Sequence, residues 1–128
     1  MDYVTDTQSL VWYFADDSRL SDTALTAFDG TIREGIIIVP SVVLAEIMFI
    51  SRKEKITLTF EETLKKIEEY ENIQIAPLDV EILRVADKIE AEMEMHDRLI
   101  VATTLYYRAT LITKDRFIRD IGLCHTLW

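Results

Sequence analysis

The segment GIIIVPSVVLAEIMFI, residues Gly35 to Ile50, joins two different hydrophobic patterns in one short stretch. Its first part is a continuous β-branched run that ends at Pro40, which is typical of a strand buried on both faces in a parallel sheet. Its second part is an apolar helix for which Ser41 is the predicted N-cap. A buried strand followed directly by an apolar helix predicts an α/β architecture.

The helical part of this segment contains one charged residue, Glu46. The residues three or four positions away share its face in a helix and are all apolar: Val42, Val43, Phe49 and Ile50. We therefore expect a buried carboxylate, which must be protonated, hydrogen-bonded or bound to a cation, since an unpartnered one costs roughly several kcal/mol. Two partners are open at this point: a core arginine such as Arg98, or a metal ion shared with other acids.

The alternation of short apolar runs and helical patterns continues along the chain. Strand candidates are YVT at residues 3–5, NIQIAPL at 72–78, ATLIT at 109–113 and CHTLW at 124–128. Apolar residues at helical spacing predict helices after Asp6, over residues 58–71, from Asp79 to Met93 and from near Asp97. The predicted fold is a single α/β domain over residues 1–128, with a mostly parallel central sheet flanked by helices.

The charge balance limits the kinds of partner. The net charge is -9, with 23 acidic and 14 basic residues, which argues against a broad affinity for nucleic-acid backbones and makes any such contact local. The single Cys124 cannot form an internal disulfide, and no secretory signal is recognisable, so we expect a cytoplasmic protein. No apolar run approaches the roughly 18 to 20 residues that span a bilayer, so no membrane association is expected.

Four acidic residues occupy comparable places in this fold, at strand ends, a helix start and an early helical turn: Asp6, Asp115, Asp97 and Glu46. Ligands of parallel sheets gather at the carboxyl ends of the strands, so these side chains are expected to meet. Clustered carboxylates repel one another unless a cation lies between them. Oxygen ligands without a Cys or His set suit Mg²⁺ or Mn²⁺, and phosphodiester hydrolysis is the reaction that such ions support.

The motifs that carry these acids, DTQSLVWYF, VVLAEI, HDRLIVATTL and LITKDRFIRD, resemble those of the PIN-domain ribonucleases, particularly VapC-type toxins of toxin–antitoxin pairs. The resemblance covers essentially the whole chain and implies the strand order 3-2-1-4-5. It implies Mg²⁺ or Mn²⁺ held by Asp6, Asp97 and Asp115, with Glu46 completing the catalytic set and Thr113 as the family's small hydroxyl residue. It further implies an RNA substrate, a homodimer, and a cognate antitoxin protein that enters the acidic groove.

The chain departs from the family pattern at two positions. Gln8 stands where relatives often have His or Ser, and Asp120 is offset from the second acid that frequently follows Asp115, so it is not counted as a ligand. His96 and His125 have no ligand spacing and are predicted to be surface or hydrogen-bonded residues. The aromatic run of residues 12–14 is predicted to pack in the core or at a dimer interface, and the basic residues 114, 116 and 119 either meet phosphates or form a solvated turn.

Other functions remain open from the sequence. Each acid taken alone has a simpler explanation: Asp97 and Asp115 as helix caps, and Asp6 as a turn residue. A non-catalytic PIN-fold binding module would use the acidic pocket to bind an arginine of a basic protein partner. A small metal-dependent phosphatase would apply the same metal chemistry to phosphomonoesters.

Overall fold

The central sheet of the computed structural model, which describes all 128 residues, has five strands, and every neighbouring pair runs parallel. The strands are β1 (Tyr3–Thr5), β2 (Ile37–Pro40), β3 (Ile73–Ala76), β4 (Thr110–Ile112) and β5 (Thr126–Leu127). Their spatial order is β3-β2-β1-β4-β5, which confirms the predicted order. Each predicted strand is present, although β2 begins two residues after the glycine that opens its apolar run.

Seven helices connect and cover the strands. They are α1 (Thr7–Phe14), α2 (Asp22–Gly30), α3 (Ser41–Arg52), α4 (Phe60–Glu68), α5 (Val80–Asp87), α6 (Met95–Tyr107) and α7 (Arg116–Ile121). None of them combines the length and the apolar character that crossing a bilayer requires.

The helix α2 has no counterpart in the sequence prediction. Its buried residues are only Ala24, Ala27 and Phe28, and polar residues separate them from the next apolar run. A stripe of two alanines and one aromatic ring is too weak to stand out in a hydrophobic pattern. The start of the helix follows the usual rules, because the side chain of Ser21 accepts a hydrogen bond from the Ala24 N–H at 3.1 Å.

The helix α5 ends at Asp87, six residues before the predicted end at Met93. The α-helical hydrogen-bond pattern stops there, because the Ile89 N–H donates to the carbonyl three residues earlier, at Ala86. The Arg98 guanidinium then donates to the carbonyls of Ala86, Ile89 and Ala91, and these bonds satisfy the backbone groups that a longer helix would have paired internally.

The predicted capping role of Ser41 is wrong. Ser41 is already the first helical residue of α3, the cap position is Pro40, and no side chain caps this helix. The Ser41 hydroxyl instead accepts a hydrogen bond from the Leu78 N–H at 3.0 Å, which ties the start of α3 to the segment after β3. Pro40 has φ -58° and ψ 137°, an extended conformation, so the helix begins with the residue that follows it.

The core surrounds the central strands, which read as continuous apolar runs because helices cover both faces of the sheet. Thirty buried apolar residues form one cluster, which includes every residue of β2 except Pro40. Trp12 and Phe14 belong to this cluster, in agreement with the prediction of core packing. The C-terminal Trp128 packs against Trp12, with ring centres 5.9 Å apart.

The strand order reverses between β1 and β4, and this reversal positions the acidic residues. β1 leads to β2 on one side of the sheet, while β4 pairs with its other side, with Thr5 opposite Ile112. The Asp6 N–H donates to the Ile112 carbonyl at 3.3 Å, so the residues after β1 and after β4 leave the sheet side by side. A crevice at such a reversal is where α/β sheets bind ligands.

Candidate metal centre

Asp6 follows β1 directly and is the N-cap of α1. Its Oδ1 accepts a hydrogen bond from the Ser9 N–H at 2.8 Å, which holds the carboxyl at the carboxyl end of the sheet. Burial raises the pKa of this carboxyl, while hydrogen bonding from Ser9 and Thr113 opposes the rise and the nearby charge of Glu46 adds to it. Asp6 is therefore a helix cap and not the simple turn residue that its position after a strand suggested.

Asp115 takes the matching position after β4 as the N-cap of α7, and its Oδ1 accepts from the Ile118 N–H at 2.9 Å. Its own N–H donates to the hydroxyl oxygen of Thr113 at 3.1 Å. Thr113 is fully buried, and its hydroxyl also interacts with the Asp6 carboxyl. One threonine thus connects the two aspartates that end the neighbouring strands.

Glu46 lies in the second turn of α3, and its side chain is 29% exposed. The prediction of a buried face around it is wrong on one side, because Phe49 is 61% exposed. The core face of α3 is formed by Val43, Leu44 and Ile47 instead. Glu46 therefore stands at the border between the core and solvent, where α3 packs against α6.

The proposed pairing of Glu46 with Arg98 is also wrong. The Arg98 guanidinium donates to three backbone carbonyls at and just after the end of α5, and it forms no ion pair with Glu46. The partner of Glu46 is His96, whose Nε2 lies 3.1 Å from Oε2 of the glutamate.

Asp97 is in the first turn of α6, where its charge also suits the positive end of the helix dipole. The helix begins slightly earlier than predicted, with Glu94 at the cap position, so Asp97 is not the N-cap. Burial raises the pKa of the Asp97 carboxyl; the His96 ring opposes this rise, and the charges of Asp115, Glu94 and Glu46 add to it.

The four predicted acids lie around one small cavity of about 140 Å³. Five further residues from α1, α6 and α7 line this cavity: Thr7, Gln8, His96, Ile100 and Ile118. A groove of about 740 Å³ beside α2 is larger, but its lining brings no such set of carboxylates together. Asp120 lies outside the cavity, near the Arg116 side chain at 3.9 Å, which agrees with its omission from the site.

His96 is the site residue that the sequence reasoning missed. Its Nε2 lies 3.1 Å from Glu46, 3.4 Å from Asp97 and 3.5 Å from Glu94, so it contacts three acids at once, two of which line the cavity. The signal that could have found it is its position immediately before Asp97 at the start of a helix. His125 is exposed in the loop before β5, as predicted.

The donor set fits a divalent cation of the Mg²⁺ or Mn²⁺ type. Carboxylates from four separate elements converge, and the raised pKa values of Asp6 and Asp97 show that burial together with the neighbouring negative charges disfavours their ionised forms. A bound cation would relieve this repulsion. Thr7 lines the same cavity, and its buried hydroxyl has no hydrogen-bond partner in the protein, so it is available to a ligand or a water.

The sequence matches the model of the PIN domain family over residues 3–122, whereas no curated protein is similar enough in sequence to match. VapBC2 from Rickettsia felis, solved with a promoter DNA fragment, has a TM-score of 0.73 at 18% identity, covering 98% of this chain and 97% of that one. DNA-bound VapBC from Salmonella typhimurium has a TM-score of 0.71 at 14% identity, covering 98% of this chain and 96% of that one. Mycobacterium tuberculosis VapC20, a sarcin-ricin loop cleaving toxin, has a TM-score of 0.63 at 15% identity, covering 94% and 95%.

Identities this low establish a shared fold, and the coverage shows that the fold is shared along the full length of both chains. The family match is the stronger observation, because it spans β1 to α7 and includes all four acids around the cavity. The chain is a member of the PIN domain family.

Proposed function

We propose that this protein is a metal-dependent endoribonuclease that hydrolyses RNA phosphodiesters and serves as the toxin of a toxin–antitoxin pair in the cytoplasm. The observation that carries the proposal is the convergence of Asp6, Glu46, Asp97 and Asp115 on one cavity at the strand-order reversal. Membership of the PIN domain family and the structural likeness to VapC20, described as cleaving the sarcin-ricin loop, support the choice of RNA.

In this proposal Asp6, Asp97 and Asp115 hold Mg²⁺ or Mn²⁺. Such an ion polarises a phosphoryl oxygen, lowers the pKa of water and stabilises the charge on the leaving oxygen. Glu46 lines the cavity with a side chain that is 29% exposed, and its carboxylate can orient the attacking water and accept its proton. Thr113 keeps the two strand-end aspartates at a fixed separation through its hydroxyl.

Local basic residues offer a path for the RNA backbone despite the net charge of -9. Lys114 precedes Asp115, and its ammonium lies 5.6 Å from the centre of the Trp12 ring. The Arg19 guanidinium lies 5.2 Å from the same ring centre. The side-chain cations of Lys114 and Arg19 thus both lie beside the Trp12 ring. Arg116, which follows Asp115 in the chain, is exposed.

The proposed partners are an antitoxin protein and a second copy of the chain. The structural relatives from Rickettsia felis and Salmonella typhimurium are VapBC assemblies, which supports an antitoxin. Four apolar side chains between β3 and the middle of α5 are more than two fifths exposed and supply an apolar surface for the dimer: Ile75, Leu78, Val80 and Leu83.

The test is cleavage of labelled structured RNAs by purified protein with Mn²⁺, with Mg²⁺ and with EDTA. The Asp97→Asn variant should lose cleavage while remaining folded, whereas Asp120→Asn, which changes an exposed acid outside the cavity, should cleave like the parent protein. Metal-dependent cutting that survives in Asp97→Asn would contradict the site.

Two other results would replace the proposed function. A preparation that binds metal, is free of partner protein and cuts no RNA would favour the binding module. Turnover of a chromogenic phosphomonoester without cleavage of RNA would favour the phosphatase.

A further inference from the structure

We propose that His96 is a direct nitrogen ligand of the divalent cation, which makes the centre a mixed nitrogen and oxygen site with a preference for Mn²⁺ over Mg²⁺. This inference deepens the proposed function and rests on it for the presence of a divalent cation in the cavity. It extends the carboxylate set by one imidazole and by Glu94, which stands two residues before His96.

The arrangement around the imidazole is the first observation. Three carboxylate oxygens, from Glu46, Asp97 and Glu94, lie between 3.1 and 3.5 Å from the same nitrogen, Nε2 of His96. Imidazole binds metal ions through a ring nitrogen, and Nε2 is the ring nitrogen that these three oxygens contact.

The distances from Nε2 to each of the three oxygens match those between neighbouring ligands of one ion. Ligands bonded at about 2.1 to 2.2 Å lie about 3.0 Å apart at adjacent octahedral positions and about 3.5 Å apart at tetrahedral ones. The contacts of Nε2 with Glu46, Asp97 and Glu94 fall within this range. One potential ligand atom from each of Glu94, His96 and Asp97 also lies within 4.8 Å of the other two.

The local chain keeps this group together without the cation. Glu94, His96 and Asp97 belong to the start of α6, so only Glu46 must come from another element. Arg98, the next residue, is anchored by its hydrogen bonds to the end of α5 and holds this turn in place. The buried and unpartnered hydroxyl of Thr7 is an independent sign that the same cavity accommodates a ligand.

The nitrogen ligand has a chemical consequence for metal choice. Mg²⁺ selects oxygen donors almost exclusively, while imidazole suits first-row transition ions. We expect His96→Gln to raise the Kd for Mn²⁺ about tenfold or more, and to change the Kd for Mg²⁺ less than about threefold. The ratio of the two affinities is the quantity of interest, because a general loss of structure would weaken both ions together.

The decisive experiment is pulsed EPR of Mn²⁺ bound to the protein, in which a directly coordinated imidazole nitrogen modulates the electron spin echo. The chain has two histidines, so His125→Gln leaves His96 as the only one. Labelling histidine with ¹⁵N in this variant should replace the ¹⁴N modulation by that of ¹⁵N, and His96→Gln should abolish it. Circular dichroism confirms folding, and His96→Asn provides a second variant if the glutamine form does not fold.

The outcomes separate this inference from the proposed function, because the spectra need no RNA. Mn²⁺ whose binding requires Asp97 but which shows no histidine nitrogen modulation would overturn the inference, even in an active nuclease. An unchanged Mn²⁺ to Mg²⁺ affinity ratio in His96→Gln would also overturn it. Histidine modulation in a protein that cuts no RNA would support the ligand role and contradict the nuclease.

Discussion

Replacement of Arg98 by methionine, which retains the aliphatic stem and removes the guanidinium, is expected to lower the free energy of unfolding by about 3 kcal/mol. The guanidinium donates to the Ala86, Ile89 and Ala91 carbonyls, at 3.2, 2.5 and 2.7 Å. Hydrogen bonds to charged groups contribute about 1.5 to 3 kcal/mol each, so simple addition gives roughly 4.5 to 9 kcal/mol. The three carbonyls are near exposed residues, so water can form some of the hydrogen bonds that the guanidinium no longer makes. The expected loss of stability is therefore about a third to two thirds of that sum.

The assay is urea unfolding of the metal-free protein, with Arg84→Met as the control, because Arg84 is exposed on α5 and makes none of these bonds. Arg98→Lys is expected to recover only part of the loss, since one ammonium cannot match the geometry of the planar fork. The Kd for Mn²⁺ should rise in Arg98→Met because the start of α6 carries Asp97. A loss of stability below about 1 kcal/mol would refute the claim that these bonds organise the turn.

Three further predictions concern the site and the surfaces. Asp6→Asn should reduce cleavage on the order of 100-fold and raise the melting temperature of the metal-free protein at neutral pH, because burial raises the pKa of this carboxyl and its ionised form opposes folding. The gain in melting temperature should be complete above the pKa that Asp6 has in the folded protein, and it should vanish below the ordinary aspartate pKa of 3.8. Lys114→Glu should weaken RNA binding and reduce the slope of log affinity against log salt by about one. Leu83→Glu should weaken a homodimer about tenfold or more, as measured by light scattering across a concentration series.

Matched variants give each of these measurements a reference. Lys65→Glu makes the same charge change on α4, outside the cavity lining, and should leave RNA affinity nearly unchanged. Leu25→Glu changes another exposed leucine, on α2, and should leave the oligomeric state unchanged. A stabilisation by Asp6→Asn that persists unchanged at acid pH would show that the carboxyl charge is not its cause.

The pattern of the chain was sufficient for most of the fold because parallel strands buried on both faces leave a strong signal. The run before Pro40 and the run ATLIT are strands for this reason. The helix α2 left a weak signal because its buried face has only two alanines and one phenylalanine. The strand order came from resemblance to the family, since no local pattern states which strands pair.

The acids of the site were predicted individually, but their environments were not. Asp6 and Asp115 end strands and cap helices, roles that neighbouring residues indicate. The exposure of Phe49 beside Glu46 depends on which side of α3 the rest of the chain covers, and helical periodicity gives only the relative positions of residues. The choice of Arg98 as the partner of Glu46 failed for the same reason.

The sequence by itself determined the α/β class, the apolar strands and the acids that follow them, because these features depend on periodicity and on residues adjacent in the chain. Only the tertiary structure decided that His96 meets Glu46, since α4, β3 and α5 lie between them in the chain. It also decided that Arg98 binds backbone carbonyls at the end of α5. Such contacts follow from the packing of separate elements at fixed distances, and that packing is a property of the whole core.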